Sequence, residues 1–216
     1  MKNKNKDIFR GIRQYEFTFK ILSKITRPVR LLEVGARECM LEDILPKNIS
    51  YTSLDMVGDS KYIVDLNKDR IPVKDEYFDI LVCLETLEHV LYPDKVIEEL
   101  KRVTKKDGIF ILSMPNEYNF WLRLNYLLGI KKYHTDSGFD VVTRLQHIHR
   151  PRVKDILEIF KKHFEVLEVG YIWQTGIEKK SRFYYVFDYI VNSIAQIYPS
   201  LFTRIVIVKA RKKDYL

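Results

Sequence analysis

Four acidic side chains hold comparable places in the first half of the chain. Glu33 stands inside Leu31-Leu32-Glu33-Val34-Gly35-Ala36-Arg37, where an apolar run ends in a carboxylate and a glycine. Asp55 follows a second apolar run, 20 positions after Gly35; Asp65 follows a third, and Glu85 ends a fourth. An ionised carboxylate accepts hydrogen bonds and donates none. The first can meet an ammonium group, the second can hold both hydroxyls of a ribose, and the third can accept from an adenine amino group. A ligand with an amino-acid end, a ribose and an adenine uses all three. Gly35 lets such a ligand pass close to the backbone. A dinucleotide fits poorly: its phosphate-cradling pattern wants glycine at 35, 37 and 40, where the chain has Gly35, Arg37 and Met40.

A second group follows the fourth apolar run: Glu85-Thr86-Leu87-Glu88-His89. If these residues open a helix, positions i, i+3 and i+4 share a face, so Glu85, Glu88 and His89 converge. Three protein ligands and a vacant position make a catalytic metal site, which would bind an acceptor oxygen and lower its pKa. His149, or else His147, precedes Pro151 and would supply a fourth ligand. Carboxylates suit magnesium or manganese, and imidazoles suit later metals. Without a metal, His89 and His149 are the foremost candidates for a general base, with His147 behind them. Asn116 and Asn119 can bond a polar acceptor, although asparagine also favours turns for backbone reasons.

Strands alternating with helices must position these groups. The pattern predicts a leading helix over 8–26 that covers a sheet edge or the ligand, then strands Val29–Val34, Ser50–Leu54, Tyr62–Val64, Tyr77–Leu84 and Ile109–Ser113. Between them lie a short helix Met40–Leu45 and a long one, Leu87–Val103, stopped by Lys106-Asp107-Gly108. Phe120–Leu128 reads as a helix closed by Gly129, 130–150 as a loop, and Pro151–His163 as a helix with proline in its first turn. Phe164–Trp173 and Arg204–Lys209 read as strands on either side of a long excursion over 174–200. The order implies an α/β fold with a mostly parallel sheet and right-handed crossovers, in one domain spanning 1–216.

Length and composition agree. The 216 residues are 46% hydrophobic and 31% charged, as in an ordinary globular chain. The net charge of +8, from 37 basic and 29 acidic residues, fits nucleic acid, anionic lipid or acidic glycans without choosing among them. Basic residues with interleaved aromatics suit single strands, but no recognised RNA-binding motif occurs, so nucleic acid is the weaker partner. Two cysteines, Cys39 and Cys83, imply no disulfide framework and a reducing, cytoplasmic setting. No run of 18 apolar residues occurs. The excursion concentrates aromatic and apolar residues, from Phe183 to Phe202, behind Lys179, Lys180 and Arg182. It packs on the core, rests on a membrane surface over 179–202, or forms a lid or dimer face.

Over 29–116 the chain resembles class I S-adenosylmethionine-dependent methyltransferases of the type 11 group. Leu32-Glu33-Val34-Gly35, Leu54-Asp55-Met56, Val64-Asp65-Leu66, Phe78-Asp79-Ile80-Leu81-Val82, Leu87-Glu88-His89-Val90 and Lys106-Asp107-Gly108 with Met114-Pro115-Asn116 carry the likeness. The resemblance implies a Rossmann-like three-layer sandwich whose seven-stranded sheet ends in an antiparallel strand. It implies S-adenosylmethionine as cofactor, held by Glu33, Gly35, Ala36, Arg37, Asp55, Met56, Asp65, Leu66 and Glu85. The Glu-His pattern is similar to ubiquinone-biosynthesis O-methyltransferases and to small-RNA 2′-O-methyltransferases, which use such residues around a divalent ion. The implied acceptor is a small molecule, a lipid-linked compound or a glycan, modified at oxygen. An RNA ribose and a non-catalytic cofactor-binding scaffold are the alternatives. Related motifs read Gly-x-Gly-x-Gly, and here Arg37 and Cys39 replace the later glycines; an arginine fits ordinary dihedrals there if the turn shifts.

Overall fold

A computed structural model describes residues 13–37, 39, 41–129, 147–173 and 182–213. The expected loop over 130–146 and Lys179 and Lys180 lie outside them. Helix α1 (Arg13–Leu22) leads into β1 (Val29–Val34), β2 (Ile49–Asp55), β3 (Tyr62–Ile63) and β4 (Phe78–Leu84). Then follow α2 (Pro93–Val103), β5 (Thr104–Pro115), α3 (Phe120–Leu128), α4 (Val153–His163) and β6 (Phe164–Ile172). Helices α5 (Arg182–Ile197) and α6 (Pro199–Phe202) fill the excursion before β7 (Ile205–Lys212).

The seven strands form one sheet in the order β3-β2-β1-β4-β5-β7-β6. Strands β1 to β5 pair in parallel, and β7 runs antiparallel to both β5 and β6. The expected α/β sheet with an antiparallel last strand is therefore present. Its strand order reverses between β1 and β4, which opens a crevice at the carboxyl ends of the strands.

The central strands are buried on both faces, so their sequences read as continuous apolar runs rather than alternations. Leu32, Leu81, Cys83, Phe110 and Leu112 pack with Val96, Ile97 and Leu100 of α2 and Ile156 and Phe160 of α4. Their neighbours Leu31, Ile80, Val82 and Ile111 pack on the other face with Ile21 and Leu22 of α1. Burying each such side chain contributes roughly 2 kcal/mol. Below the crevice Asp79 ties three segments together, accepting from the Arg30 N–H at 2.9 Å, Lys105 at 2.7 Å and Arg27 at 3.2 Å. Burial pushes its carboxyl up, but these donors prevail and hold it below its usual range.

Two expected elements differ. The helix read over Leu87–Val103 is two pieces, a single 3-10 turn at Leu87–His89 and α2 from Pro93. Proline at the first helical position disfavours helical dihedrals in the residue before it, and Tyr92 is extended at φ −129, ψ 79. Lys106-Asp107-Gly108 does not stop α2, which ends at Val103. It lies in a bulge of β5, where four residues between Thr104 and Ile109 oppose Asp79 alone. A Cβ on Gly108 would lie 2.4 Å from the Thr104 side chain and 2.9 Å from the Lys105 carbonyl, so the bulge closes around glycine. The expected helix at Met40–Leu45 is a 3-10 turn at Glu42–Ile44, Met40 itself lying outside the described residues.

Candidate active site

Glu33 is the last but one residue of β1, and only 3% of its surface is exposed. The register sets it beside Ser53 of β2 and Val82 of β4. Tyr51, two residues below Ser53 on the same face, donates its hydroxyl to Glu33 Oε2 at 2.5 Å. Burial pushes the Glu33 carboxyl up to about 7; the Tyr51 bond opposes that and the charge of Glu42 adds to it. An acid held there gains most from a cationic partner. Gly35 follows at φ +74, and a Cβ on it would lie 2.1 Å from Thr86 Oγ1. Thr86 donates that hydroxyl to the carbonyls of Val34 and Leu84, at 3.2 and 3.1 Å, which locks the first and fourth strand ends together.

The turn after Gly35 does not shift to suit its larger residues. Arg37 and Cys39 both keep left-handed backbones, at φ 44 and 52. Each costs roughly 1–2 kcal/mol for a residue with a Cβ. Asp55 offsets part of this: its Oδ2 accepts from the Arg37 N–H at 2.9 Å, and its Oδ1 from Met56 and Val57 at 2.7 and 3.2 Å. The Arg37 side chain itself is exposed. Met56 and Val57 are exposed apolar residues at the same edge, 51% and 59%, and can cover a flat ring. Ala36 is buried beneath them.

Asp65 sits in the loop after β3 with its oxygens already engaged. Oδ1 accepts from the Asn67 N–H at 3.0 Å and Oδ2 pairs with Lys68 at 2.9 Å, which holds the carboxyl below its usual range. Leu66 packs against the core. Asn67 reaches the other side of the crevice, accepting from the Leu91 N–H at 2.6 Å.

The Glu85 group departs from the expected helical face. Glu85 has φ 48 and precedes the 3-10 turn, so Glu85, Glu88 and His89 do not share one face. The residues brought together are Glu88, His89 and His147, each with a ligand atom within 4.8 Å of the others. Glu85 and His149 are not in that group. The Glu85 carboxylate accepts from Gln14 of α1 at 3.4 Å, and burial raises its pKa. His149 Nε2 donates to the Val90 carbonyl at 2.9 Å, while the Ile148 and His149 N–H groups both donate to Glu88 O. His149 thus docks its loop on the 3-10 turn, and His147 is the residue delivered to the site. The His147 ring meets that of His89 edge to face, with centroids 4.7 Å apart.

Glu88 is fully buried, and neither carboxyl oxygen has a hydrogen-bond partner. Burial pushes its pKa well above the usual range; its own backbone N–H opposes this, and the charges of Glu85 and Glu117 add to it. Glu117, absent from the sequence-derived set, is buried and bonds His147 Nδ1 at 2.8 Å. A glutamate two residues beyond Pro115 carries no spacing signal toward a distant histidine. Asn116 and Asn119 serve the backbone: Asn116 donates to Thr203 O at 2.8 Å, and Asn119 caps α3 through Leu122 N.

Residues 26–112, from ahead of β1 into β5, match the model of a family described as a methyltransferase domain. In sequence that stretch is similar to class I S-adenosylmethionine-dependent methyltransferases. It is 31% identical over 107 residues to an uncharacterised protein of Methanocaldococcus jannaschii, covering 47% of this chain and 52% of that one. It is 37% identical over 54 residues to a ubiquinone biosynthesis O-methyltransferase of Glaesserella parasuis, covering 25% and 23%. The chain thus spans about half or less of these curated relatives. An S-adenosylmethionine-dependent methyltransferase of Mesorhizobium loti has the same fold, with TM-score 0.57 and 13% identity, covering 92% of this chain and 98% of that one. A second, from Archaeoglobus fulgidus, gives TM-score 0.57 at 14% identity over 92% and 94%. The match to the family ends at Leu112, so Glu117 and His147 lie beyond it.

Proposed function

We propose that this chain binds S-adenosylmethionine at the carboxyl ends of β1, β2 and β4 and methylates an oxygen of a small or lipid-linked acceptor. When bound, the cofactor supplies an electrophilic methyl group on a sulfonium. The residues fit it: Glu33 would hold the ammonium, Asp55 the ribose, and Met56, Asp65 and Leu66 the adenine, with Gly35, Ala36 and Arg37 forming the turn beneath. Glu85 would close the methionine end.

The observation that supports transfer to oxygen is the Glu117–His147 pair beside the buried Glu88. Glu117 accepts a hydrogen bond from His147 Nδ1–H, which leaves Nε2 as the basic nitrogen. That nitrogen can remove the acceptor's proton, and Glu117 then stabilises the imidazolium. His89 packs against the ring and fixes its plane. The acceptor's class is read from exposed apolar side chains on two helices. Trp121, Tyr126, Leu127 and Leu128 of α3 and Tyr189, Ile190 and Ile197 of α5 are exposed. Among the described residues no helix is long and apolar enough to cross a membrane, and a peripheral contact through 179–202 from the cytoplasmic side would suit a lipid-linked acceptor.

One observation favours a second reading, with a divalent ion among Glu88, His89 and His147: neither Glu88 oxygen is hydrogen-bonded, and Oε1 lies 3.8 Å from His89 Nε2. Two imidazoles and one carboxylate suit manganese, iron or zinc better than magnesium. A panel of quinols, glycolipids and RNA oligomers, assayed for S-adenosylhomocysteine release before and after chelation, tests both. We expect turnover on hydroxylated lipid-like acceptors that survives chelation. Turnover on RNA alone overturns the acceptor reading, and loss on chelation with recovery on adding manganese favours the metal.

A further inference from the structure

We infer that Tyr51 is a positioning residue whose hydroxyl keeps Glu33 available as a carboxylate for the cofactor's ammonium, so that cofactor affinity is gated by pH at this pair. The inference rests on the proposed S-adenosylmethionine site.

The geometry is specific to this pair. Glu33 is buried, so water cannot solvate its charge, and the bond described is the 2.5 Å one from Tyr51. Charge-assisted bonds of this kind are among the stronger ones. The other titratable groups facing Glu33 are Glu42 of the 3-10 turn, whose charge opposes ionisation, and the buried Cys83 thiol of β4. Cys39 bonds Tyr51 from the turn. Burial pushes the Cys83 thiol up to about 12 and the Tyr51 phenol higher still, so both stay protonated at neutral pH. Glu33 is the carboxyl that burial brings up to about 7.

The direction follows from charge. An ammonium binds the carboxylate and not the carboxylic acid, so affinity falls as pH drops through about 7, the Glu33 value. At higher pH the cofactor's own α-amino group, near 8 in solution, loses its proton. Binding is therefore bell-shaped, and Tyr51 controls the acid limb alone. Removing its hydroxyl takes away the bond that lowers the Glu33 pKa and so moves that limb upward.

The test is calorimetric titration of the full chain with S-adenosylhomocysteine, which carries the same ammonium, from pH 6 to 9. We expect wild type to show an acid limb near neutrality with proton release on binding. We expect Tyr51→Phe to be roughly eightfold weaker near pH 6.5 and nearly unchanged near pH 8.5. Glu33→Gln should bind weakly with a flat acid limb, which keeps the test usable if Tyr51→Phe fails to fold. A parallel loss at every pH in Tyr51→Phe, or a wild-type curve flat below pH 8, overturns the inference. No wild-type binding at any pH overturns instead the cofactor site on which it stands.

Discussion

Gly35→Ala is expected to lower affinity for S-adenosylmethionine by about 100-fold or more, equivalent to roughly 2.7 kcal/mol. Two independent effects combine. The backbone at φ +74 suits glycine and costs a residue with a Cβ roughly 1–2 kcal/mol. The new methyl also meets Thr86 Oγ1 at 2.1 Å, and Thr86 cannot rotate away without breaking its bonds to Val34 and Leu84. The strain falls on the ends of β1 and β4, where the cofactor would lie. Calorimetry gives the affinity, and a thermal melt separates it from unfolding. An alanine variant that binds like wild type would show that the cofactor does not sit on this turn.

The second large effect is a gain in stability bought with activity. Glu88→Leu removes two buried oxygens that have no partner and keeps a similar volume. Replacing a buried polar group that lacks hydrogen bonds by an apolar side chain stabilises by roughly 1–3 kcal/mol, which for a chain of this size raises Tm by about 2–4 °C per kcal/mol. Methyl transfer should fall by at least 100-fold, because the carboxylate borders the His147 base. Natural proteins keep such costly groups where function needs them. A melting curve and an S-adenosylhomocysteine release assay check the two halves. A lower Tm would mean that Glu88 has a stabilising partner in solution, as a bound cation would provide.

How much of this was legible in the chain depends on which interaction decides each feature. Strand β1 runs Val29–Val34 as read, because Pro28 and Gly35 bound a short segment rich in valine and leucine. Helix α3 runs Phe120–Leu128 as read, since Asn119 and Gly129 cap it locally. The break before α2 was also written locally, in Pro93, but the apolar spacing across it masked the signal. The Gly108 bulge was not legible: it depends on how β5 meets Asp79, a contact distant in sequence. The same reason separates His147 from His149. Both sit in one loop, and only its docking on Glu88 decides which ring enters the site. Tyr51 carries no signal of its own in the sequence, because only the pairing of β1 with β2 brings its hydroxyl to Glu33.

Left-handed Arg37 and Cys39 show the same division. Their residue types argue against the glycine turn, yet Asp55 accepts from the Arg37 N–H and keeps it. Arg37 and Cys39 thus place strain in a turn whose left-handed backbone would suit glycine.

Calorimetric titration of the wild-type chain with S-adenosylmethionine at pH 8 tests the central claim most directly. One molecule bound per chain, with affinity lost in Asp55→Ala, is the expected result. An absence of heat with both S-adenosylmethionine and S-adenosylhomocysteine, in a chain that melts cooperatively, would contradict it.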